Sequence, residues 1–281
     1  MTNRLQFAIV GFGEVGRIFA TELLAQGDLE IAAYDILFDD PIRGPALQAE
    51  ARAMGVRPAA NPANAASSAR VIISAVTASS AAFVAQQAST YLKPGQIFFD
   101  INSASPGTKK AAAAAVNAIG ASYVEGAVMA PVPGPGLKVP ILAGGPAAAD
   151  AAALLNGLGM NVEAVTTEPG RASAMKLCRS IMIKGIEALI SDCAQAAKAW
   201  DVEAEVYGSL NKSFPGTDFA DLARYMAGRI KQHGIRRAAE MREAAMMVED
   251  IGLDPQLCLS VADAQERGAD KKPLPAARAA E

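Results

Sequence analysis

Hydrophobic and polar positions follow one rhythm over the first part of the chain and another over the rest. Through about Val165, short runs rich in β-branched and aromatic residues are separated by alanine-rich stretches with helical spacing. This alternation is typical of a parallel sheet whose two faces are covered by helices. The predicted strands are residues 6–10, 30–35, 70–76, 96–101, 122–128 and 139–144.

Helix boundaries can be predicted at several points. Asn61–Pro62 and Ser105–Pro106 each combine an N-cap residue with a proline at the first helical position. From Arg171 the pattern becomes about thirty residues of 3.6-residue periodicity without proline, and the rest of the chain is also predicted to be helical. We therefore expect an α/β domain at 1–168, an all-α domain at 169–268 that begins with a long connecting helix, and a disordered tail at 269–281.

Three glycines stand directly after the first predicted strand. Gly11, Gly13 and Gly16 form a G-x-G-x-x-G pattern that opens an amphipathic helix. The spacing alone is weak in a chain with 24 glycines, but the strand-turn-helix context is the one that dinucleotide binding requires. Backbone amides at the helix N-terminus attract phosphate. The pattern predicts a Rossmann-type, doubly wound fold whose cofactor turn consists of Gly11, Phe12, Gly13, Glu14, Val15 and Gly16.

The second predicted strand ends at Asp35, 22 residues after Gly13. A carboxylate at this position can accept hydrogen bonds from the adenosine ribose and repel a 2′-phosphate, so NAD is favoured over NADP. A solvated strand-end residue is the alternative, and Arg43 keeps NADP open if its loop folds back. At the ends of the following strands we expect cofactor contacts from Ala75, Val76 and Asn102, although loop capping would also explain Asn102.

Several further segments occur in an order that resembles the β-hydroxyacid dehydrogenase family, which includes 3-hydroxyisobutyrate and 6-phosphogluconate dehydrogenases. The resemblance implies an NAD(P)-dependent enzyme that transfers a hydride between nicotinamide and a small hydroxy acid or sugar acid, and a homodimer. Residues 229–245 further resemble a branch with a distinct helical C-terminal domain. The matching segments are GFGEVG at 11–16, DINSASP at 100–106, EGAVMAPVPGPG at 125–136, ILAGGP at 141–146 and GRASAMK at 170–176.

The resemblance implies that Lys176 is the catalytic acid/base. A lysine partly desolvated at the mouth of a cofactor cleft has a lowered pKa, and its charge stabilises the reacting oxygen. A solvent-facing helix lysine is the structural alternative. One turn later, Ser180 stands where the family commonly has an asparagine that orients the substrate hydroxyl. Lys184 continues this face and is either a substrate contact or a surface pair with Glu187.

Three other parts of the chain are candidates for substrate binding. By resemblance Ser103 lies near the nicotinamide or the substrate, with loop capping as the alternative. Met129 replaces a family serine in a loop that its prolines stiffen. His233, Arg236 and Arg237 lie on consecutive helical turns, where two arginines could clamp a carboxylate or phosphate. The alternative is that Arg237 faces water and Arg236 pairs along its helix.

Composition excludes several classes of function. Of 281 residues, 51% are hydrophobic and 20% charged, which indicates a globular protein. A net charge of −3 supplies no basic field for nucleic acid or an anionic membrane. Residues 71–92 divide into a strand and a helix and are a poor membrane span. Glu14 and Arg17 interrupt any signal-peptide core, so we expect a cytoplasmic protein.

The three cysteines and the single histidine limit the kinds of disulfide and metal site that the chain can form. Cys178, Cys193 and Cys258 are predicted to be reduced core residues and not a disulfide framework. One histidine excludes a histidine-rich metal site, and the missing G-x-S-x-G motif excludes a nucleophile-elbow hydrolase. Three alternatives to simple dehydrogenation stay open. The first is an oxidative decarboxylase or oxidoisomerase of a sugar acid, and the second is an imine reductase, although imine reductases usually lack the lysine that Lys176 represents. The third is a non-catalytic dinucleotide-binding protein, which Met129 and Ser180 would suit.

Overall fold

The computed structural model describes residues 5–269. The chain divides into two compact units, of which the first ends at Lys176 and the second begins at Leu177. Positions 270–281, where a tail is predicted, lie outside the described residues. No helix within the described range combines the length and the hydrophobicity that a bilayer crossing requires.

The first unit contains an eight-stranded sheet. Its strands are β1 (Leu5–Val10), β2 (Leu29–Tyr34), β3 (Arg57–Pro58), β4 (Val71–Ser74), β5 (Ile97–Asp100), β6 (Ser122–Val128), β7 (Pro140–Gly144) and β8 (Asn161–Thr166). Their order across the sheet is β3-β2-β1-β4-β5-β6-β7-β8, and every neighbouring pair is parallel except β6 and β7. The first six strands have the Rossmann order, which confirms the predicted fold class.

The strand predictions fail at one edge of this sheet and at one short element. The expectation that β7 is parallel is wrong, since β7 runs antiparallel to β6. The segment between them, 129–139, contains only one turn of 3-10 helix at Gly136–Lys138, whereas a parallel return needs a crossover of a dozen or more residues. Two strands were not predicted, namely β3, which has two residues, and β8, whose exposed Glu163 interrupts the apolar pattern.

Six helices of the first unit cover the sheet. They are α1 (Glu14–Leu24), α2 (Gly44–Ala53), α3 (Pro62–Ala66), α4 (Ala78–Ala88), α5 (Pro106–Asn117) and α6 (Ala148–Asn156). Both predicted N-caps are confirmed, because the Asn61 side chain accepts a hydrogen bond from the Asn64 amide and Ser105 accepts one from the Thr108 amide. Local capping therefore fixes two of the points at which the chain turns from loop to helix.

The sheet separates two apolar clusters. Phe7 and Ile9 of β1 point into one cluster, which also contains residues of α1, α2 and α6. Ala8 and Val10 point into the other, which contains residues of α3, α4 and α5. Because successive side chains of a strand face opposite sides, a strand buried on both faces has no polar alternation. The helices on both faces leave the carboxyl ends of the strands as the open edge, where this fold binds its ligands.

The second unit is helical. Helix α7 (Arg171–Ala199) starts in the first unit at the predicted residue, and its residues from Leu177 onward belong to the second unit. Helices α8 (Glu203–Ser213), α9 (Phe219–Glu249) and α10 (Gln256–Arg267) follow, with α10 packed along α9. Ala238, Met241 and Ala244 of α9 are completely buried.

The cysteine prediction is correct for one residue of the three. All three cysteines are free, and Cys258 is buried as expected. Cys178 and Cys193 are exposed, so placing them in the core was wrong. Both lie on α7, whose apolar positions do not all face inward, and a period of 3.6 residues cannot reveal which face of a helix is buried.

Candidate functional site

The three glycines of the first turn meet three different constraints. Gly11 has φ +94°, and a Cβ there would lie 2.3 Å from the Ala75 carbonyl oxygen. A Cβ at Gly16 would lie 2.2 Å from the Gly11 carbonyl oxygen, so α1 packs directly on the turn. A Cβ at Gly13 would meet no protein atom within 4 Å, and no side chain caps the helix N-terminus there. The turn is therefore closed by protein at two glycines and open at the third, as a backbone site for a diphosphate requires.

Asp35 is tied to this turn. One carboxylate oxygen accepts a hydrogen bond from the Phe12 amide at 2.7 Å, and the other accepts one from the Leu37 amide at 2.9 Å. The residue is half-buried and is not simply solvated. An ionised carboxylate has about four acceptor sites, so two remain for ribose hydroxyls. The Phe12 side chain packs in the core against Phe38, so this residue faces the turn only through its backbone.

Asn102 fixes the ends of the two central strands. Its Oδ1 accepts a hydrogen bond from the Val76 amide at 2.7 Å, while its Nδ2 donates to Ser74 Oγ at 2.9 Å and to Asp100 Oδ1 at 2.7 Å. Both amide hydrogens are thus engaged within the protein, and the side chain is 5% exposed. Asn102 holds Val76 and the next residue, Ser103, at the carboxyl edge of the sheet.

A buried ion pair that the sequence did not indicate supports Asn102. Lys109 Nζ lies 3.0 Å from Asp100 Oδ1, and the Tyr123 hydroxyl donates to Asp100 Oδ2 at 2.6 Å. None of the three residues is more than 2% exposed. Burial, and then the charge of Asp100, raises the pKa of Tyr123 well above its usual value, so the hydroxyl stays a donor. Lys109 lies in an alanine-rich helix, and nothing in its spacing predicted this partner.

The start of α7 is capped by a second buried carboxylate. Glu125 accepts hydrogen bonds from the amides of Ala172 and Ser173, at 3.0 Å and 3.3 Å, and from Ser173 Oγ at 2.7 Å. Glu125 is fully buried, and a carboxylate at a helix N-terminus is stabilised by the unpaired amides and the helix dipole. This cap fixes the first turn of α7 and so the position of Lys176. The sequence offered one signal for this cap, namely the charged Glu125 inside the otherwise apolar strand SYVEGAV.

Two predicted site residues meet at the end of the first unit. Lys176 Nζ donates a hydrogen bond to Ser103 Oγ at 2.5 Å, and both side chains are half-buried. An ammonium and a hydroxyl side by side can both donate to an oxygen atom of a ligand. Met129, at the end of β6, is half-buried, and its amide donates to the Pro140 carbonyl.

In the second unit, Ser180 and Lys184 share a carboxylate partner. Ser180 Oγ donates to Glu240 Oε1 at 2.5 Å, and Lys184 Nζ lies 3.0 Å from both Glu240 Oε1 and Ser180 Oγ. Both residues are buried, so a surface pair of Lys184 with Glu187 is the wrong interpretation. Burial lowers the pKa of Lys184, although the charge of Glu240 opposes this effect. Glu240, from α9, was not predicted as a site residue.

Glu187 is the centre of a separate buried network. Arg237 donates to both of its carboxylate oxygens, Arg229 Nε lies 2.9 Å from Oε1, and Gln265 Nε2 donates to Oε2 at 3.2 Å. Glu187 is fully buried and Arg237 is 6% exposed, so the interpretation that Arg237 faces water is wrong. Three helices, α7, α9 and α10, are joined by this network.

His233 and Arg236 lie on the exposed side of α9. Slight desolvation lowers the pKa of the His233 imidazole, and the charges of Arg236, Arg237 and Arg229 lower it further. The predicted cluster is therefore divided, with Arg237 inside the helical unit and the other two residues on its surface. An exposed arginine can still contact an anionic ligand.

Comparison with known proteins places this architecture in a family. Residues 6–165 match the NAD binding domain of 6-phosphogluconate dehydrogenase. The chain belongs to the β-hydroxyacid dehydrogenase family. Residues 197–268 match a domain of unknown function, DUF1932, which agrees with the predicted branch of this family that has a distinct helical C-terminal domain. The NAD-binding match and the open backbone at Gly13 together support a nicotinamide cofactor.

Solved structures of related proteins cover nearly the whole chain. A conserved hypothetical protein from Sinorhizobium meliloti 1021 is 40% identical, with a TM-score of 0.82 over 94% of this chain and 88% of that one. The conserved protein MTH1747, described as structurally similar to 3-hydroxyacid dehydrogenases, is 30% identical, with a TM-score of 0.74 over 94% and 98%. Mycobacterium tuberculosis 3-hydroxyisobutyrate dehydrogenase, at 16% identity, shares the fold, with a TM-score of 0.75 over 94% and 93%. No curated protein matches the chain.

Proposed function

We propose that this protein is an NAD(P)-dependent oxidoreductase that transfers a hydride between nicotinamide and a small hydroxy acid or sugar acid, with Lys176 as general acid/base. The observation that carries the proposal is the 2.5 Å hydrogen bond from Lys176 to Ser103. It lies in the same unit as the glycine turn, and Asn102 and Glu125 fix its two ends. A rigid donor pair is what polarisation of an alcohol or carbonyl oxygen requires.

The residues of the chain have distinct roles in this reaction. The amides that follow Gly13 bind the diphosphate. The bound dinucleotide supplies the hydride donor or acceptor. Lys176 removes the hydroxyl proton when the substrate is oxidised and returns it to the carbonyl oxygen in the reverse direction. Ser103 orients the ammonium group and can donate its own proton to the same oxygen.

The proposal includes a preference for NAD. The Asp35 carboxylate is held beside the turn by the Phe12 amide, where its charge would repel a 2′-phosphate. It also includes substrate contacts from Met129, Ser180, Lys184, His233 or Arg236, which stay predictions. Ser180 is shorter than the family asparagine, and its hydroxyl is supported by Lys184.

A panel of hydroxy acids and sugar acids, assayed with both NAD and NADP for formation of the reduced coenzyme, tests this function. We expect turnover with at least one acid. Lys176→Met should lower kcat by about 10³-fold, because general acid–base catalysis contributes 10²–10⁴-fold. Affinity for NADH should stay unchanged. Lys138→Met, at an exposed lysine of the same unit, is the matched control and should keep full activity.

Each other outcome selects a different function. Carbon dioxide release or a rearranged carbon skeleton would indicate an oxidative decarboxylase or an oxidoisomerase. Amine formation from a ketone and an amine would indicate an imine reductase. Coenzyme binding without turnover of any acid would leave the non-catalytic dinucleotide-binding protein, and full activity in Lys176→Met would reject the assigned acid/base.

A further inference from the structure

Two buried carboxylates lie side by side where β5 ends. Asp100, the last residue of β5, pairs in register with Glu125 of β6, so both side chains lie on the same face of the sheet. Asp100 is 2% exposed and Glu125 is fully buried. Adjacent carboxylates repel each other, and burial deprives both of water, so each needs its own source of positive charge.

The two carboxylates are compensated in different ways. Glu125 accepts hydrogen bonds from the Ala172 and Ser173 amides and is stabilised by the partial charge of a helix N-terminus. Asp100 instead has a full charge beside it, because Lys109 Nζ lies 3.0 Å from its Oδ1 and donates to its carbonyl oxygen at 3.1 Å. Lys109 is completely buried, so solvent ions screen this charge only weakly.

Neutral donors occupy the rest of the Asp100 carboxylate. Asn102 donates to Oδ1 twice, from its amide at 3.0 Å and from Nδ2 at 2.7 Å, and the Tyr123 hydroxyl donates to Oδ2 at 2.6 Å. These three donors fill most of the four or so acceptor sites of a carboxylate. The distinct contribution of Lys109 is therefore its charge.

Stability alone does not explain an ion pair in this place. Replacing a buried pair by well-packed apolar residues is often neutral or stabilising, because desolvation offsets the attraction between the charges. The pair of Asp100 and Lys109 is joined to Asn102, whose Oδ1 accepts a hydrogen bond from the Val76 amide at the neighbouring strand end. The pair thus belongs to the edge of the sheet where this fold binds its ligands, and a role toward a ligand explains it better.

The two halves of the sheet divide a bound dinucleotide between them. The coenzyme of this fold lies across the carboxyl edge where the strand order reverses, which here is between β1 and β4. The glycine turn and Asp35 belong to the half with β1 and β2. The nicotinamide therefore belongs to the half with β4, β5 and β6, which contains Asp100. A nicotinamide ring carries one positive charge when oxidised and none when reduced, so its two forms respond differently to a charge at this edge.

We propose that Lys109 is a specificity-determining residue, which balances the charge of Asp100 and thereby sets the relative affinity of the protein for the oxidised and the reduced coenzyme. This inference rests on the proposed function, because it takes nicotinamide as the ligand. With Lys109 present the pair is neutral and favours neither form. Without Lys109 the carboxylate would attract the oxidised ring, so one buried lysine adjusts a property of the bound coenzyme.

Calorimetric titration of charge variants with NAD⁺ and with NADH tests this role. The readout is the Kd of NADH divided by the Kd of NAD⁺, and the same ratio is measured for NADP. Lys109→Met leaves one negative charge and should raise the ratio by on the order of 10-fold, because a buried charge is weakly screened. Asp100→Asn leaves one positive charge and should lower the ratio by a similar factor. The double variant has neither charge and should return to the wild-type ratio.

Lys110→Met is the matched control. It removes the same charge from the next residue of α5, where the side chain is exposed and solvent screens it, so the ratio should stay unchanged. Opposite shifts in the two single variants separate charge from loss of structure, since a general distortion would weaken the binding of both coenzyme forms. Either single variant gives a shift of defined sign, so the test stands even if an unpaired charge prevents the other from folding.

The outcomes separate this proposal from the proposed reaction. An unchanged ratio in folded Lys109→Met, an equal shift in Lys110→Met, or shifts of the same sign in both single variants would overturn the role of Lys109 and leave the proposed hydride transfer intact. Shifts of the expected signs without turnover of any acid would support the role of Lys109 and contradict only the reaction. A wild-type protein that binds no coenzyme would overturn both.

Discussion

The glycine turn of the first unit consists mainly of backbone groups, whereas the Glu187 network of the second unit consists of charged and polar side chains. The turn uses backbone groups and three glycines within residues 11–16, and its side chains hardly contribute. The network uses the charged ends of long side chains from three helices, with Glu187 and Arg237 separated by 50 positions in the sequence. A backbone site follows from local sterics, whereas a side-chain network depends on how distant helices pack.

This difference predicts where substitutions will be felt. Substituting a glycine whose Cβ would meet protein atoms should lower stability. Substituting the glycine whose Cβ would enter open space should affect only ligand binding. Changing the network should alter the folding of the helical unit, because an unpaired charge would be left where water cannot reach it.

The largest effect is expected at Glu187. Glu187→Gln removes the negative partner of Arg237 and Arg229 and leaves buried positive charge uncompensated, so the free energy of unfolding should fall by about 3–5 kcal/mol. Urea unfolding followed by circular dichroism measures it. Arg224→Met, at the exposed ion pair with Asp221, is the control and should cost less than about 1 kcal/mol. Equal losses of unfolding free energy in the two variants would contradict the expectation that a buried ion pair matters more to stability than an exposed one.

Gly16, which packs against protein, and Gly13, which is open, allow a comparison within the turn. Gly16→Ala forces a methyl group against the Gly11 carbonyl and should destabilise the protein by about 1–3 kcal/mol. Gly13→Ala adds the same methyl group in open space and should change stability by less than about 0.5 kcal/mol. Thermal unfolding of both variants without coenzyme checks the pair. A loss at Gly13 as large as that at Gly16 would mean that the turn is not open there.

A smaller effect is expected on the choice of coenzyme. Asp35→Asn removes the charge that opposes a 2′-phosphate, so the ratio of NADPH to NADH affinity should rise by roughly 10-fold, since one unit charge at close range is worth about 1 kcal/mol or more. Fluorescence titration of both reduced coenzymes measures this ratio. Asp150→Asn makes the same charge change at an exposed residue of α6 and should leave it unchanged. An unaltered affinity ratio in Asp35→Asn would show that this carboxylate does not select between the two coenzymes.

The smallest effect concerns pH. The pKa of His233 is lowered in the folded protein, so the unfolded chain binds its proton more readily. Stability should therefore fall as the pH drops through the unfolded value of about 6.5, and His233→Gln should flatten this decline. Melting temperatures of both proteins between about pH 7.5 and 5.5 test it. A steeper decline in the variant would contradict the lowered pKa.

Local signals in the sequence were sufficient to predict much of the fold of the first unit. The N-caps at Asn61 and Ser105, the apolar strands and the glycine spacing each reflect interactions between residues close in the chain. The direction of β7 was predicted incorrectly, because strand pattern carries no orientation and only the short segment before it excludes a crossover. The meeting of Lys176 with Ser103, 73 positions apart, joins two residues that family resemblance, and not spacing, had selected.

The buried polar contacts could not be predicted in the same way. Glu187 has Lys184 three residues before it, so local reasoning favours a surface pair, and only the packing of α9 brings Arg237 to it. Glu125 and Lys109 likewise find partners through tertiary structure. Periodicity identifies helices but not which face is buried, and the exposed apolar residues Met182 and Leu189 of α7 show this limit most clearly.

Calorimetric titration of NADH and NADPH into the wild-type protein and Gly13→Val tests the central claim, that the open backbone of the glycine turn binds the coenzyme diphosphate. We predict heat of binding for at least one reduced coenzyme in the wild type. We also predict its loss in Gly13→Val without a change in melting temperature, because the added side chain would occupy only the ligand's space. No heat with either coenzyme, or equal affinity in the variant, would contradict this account.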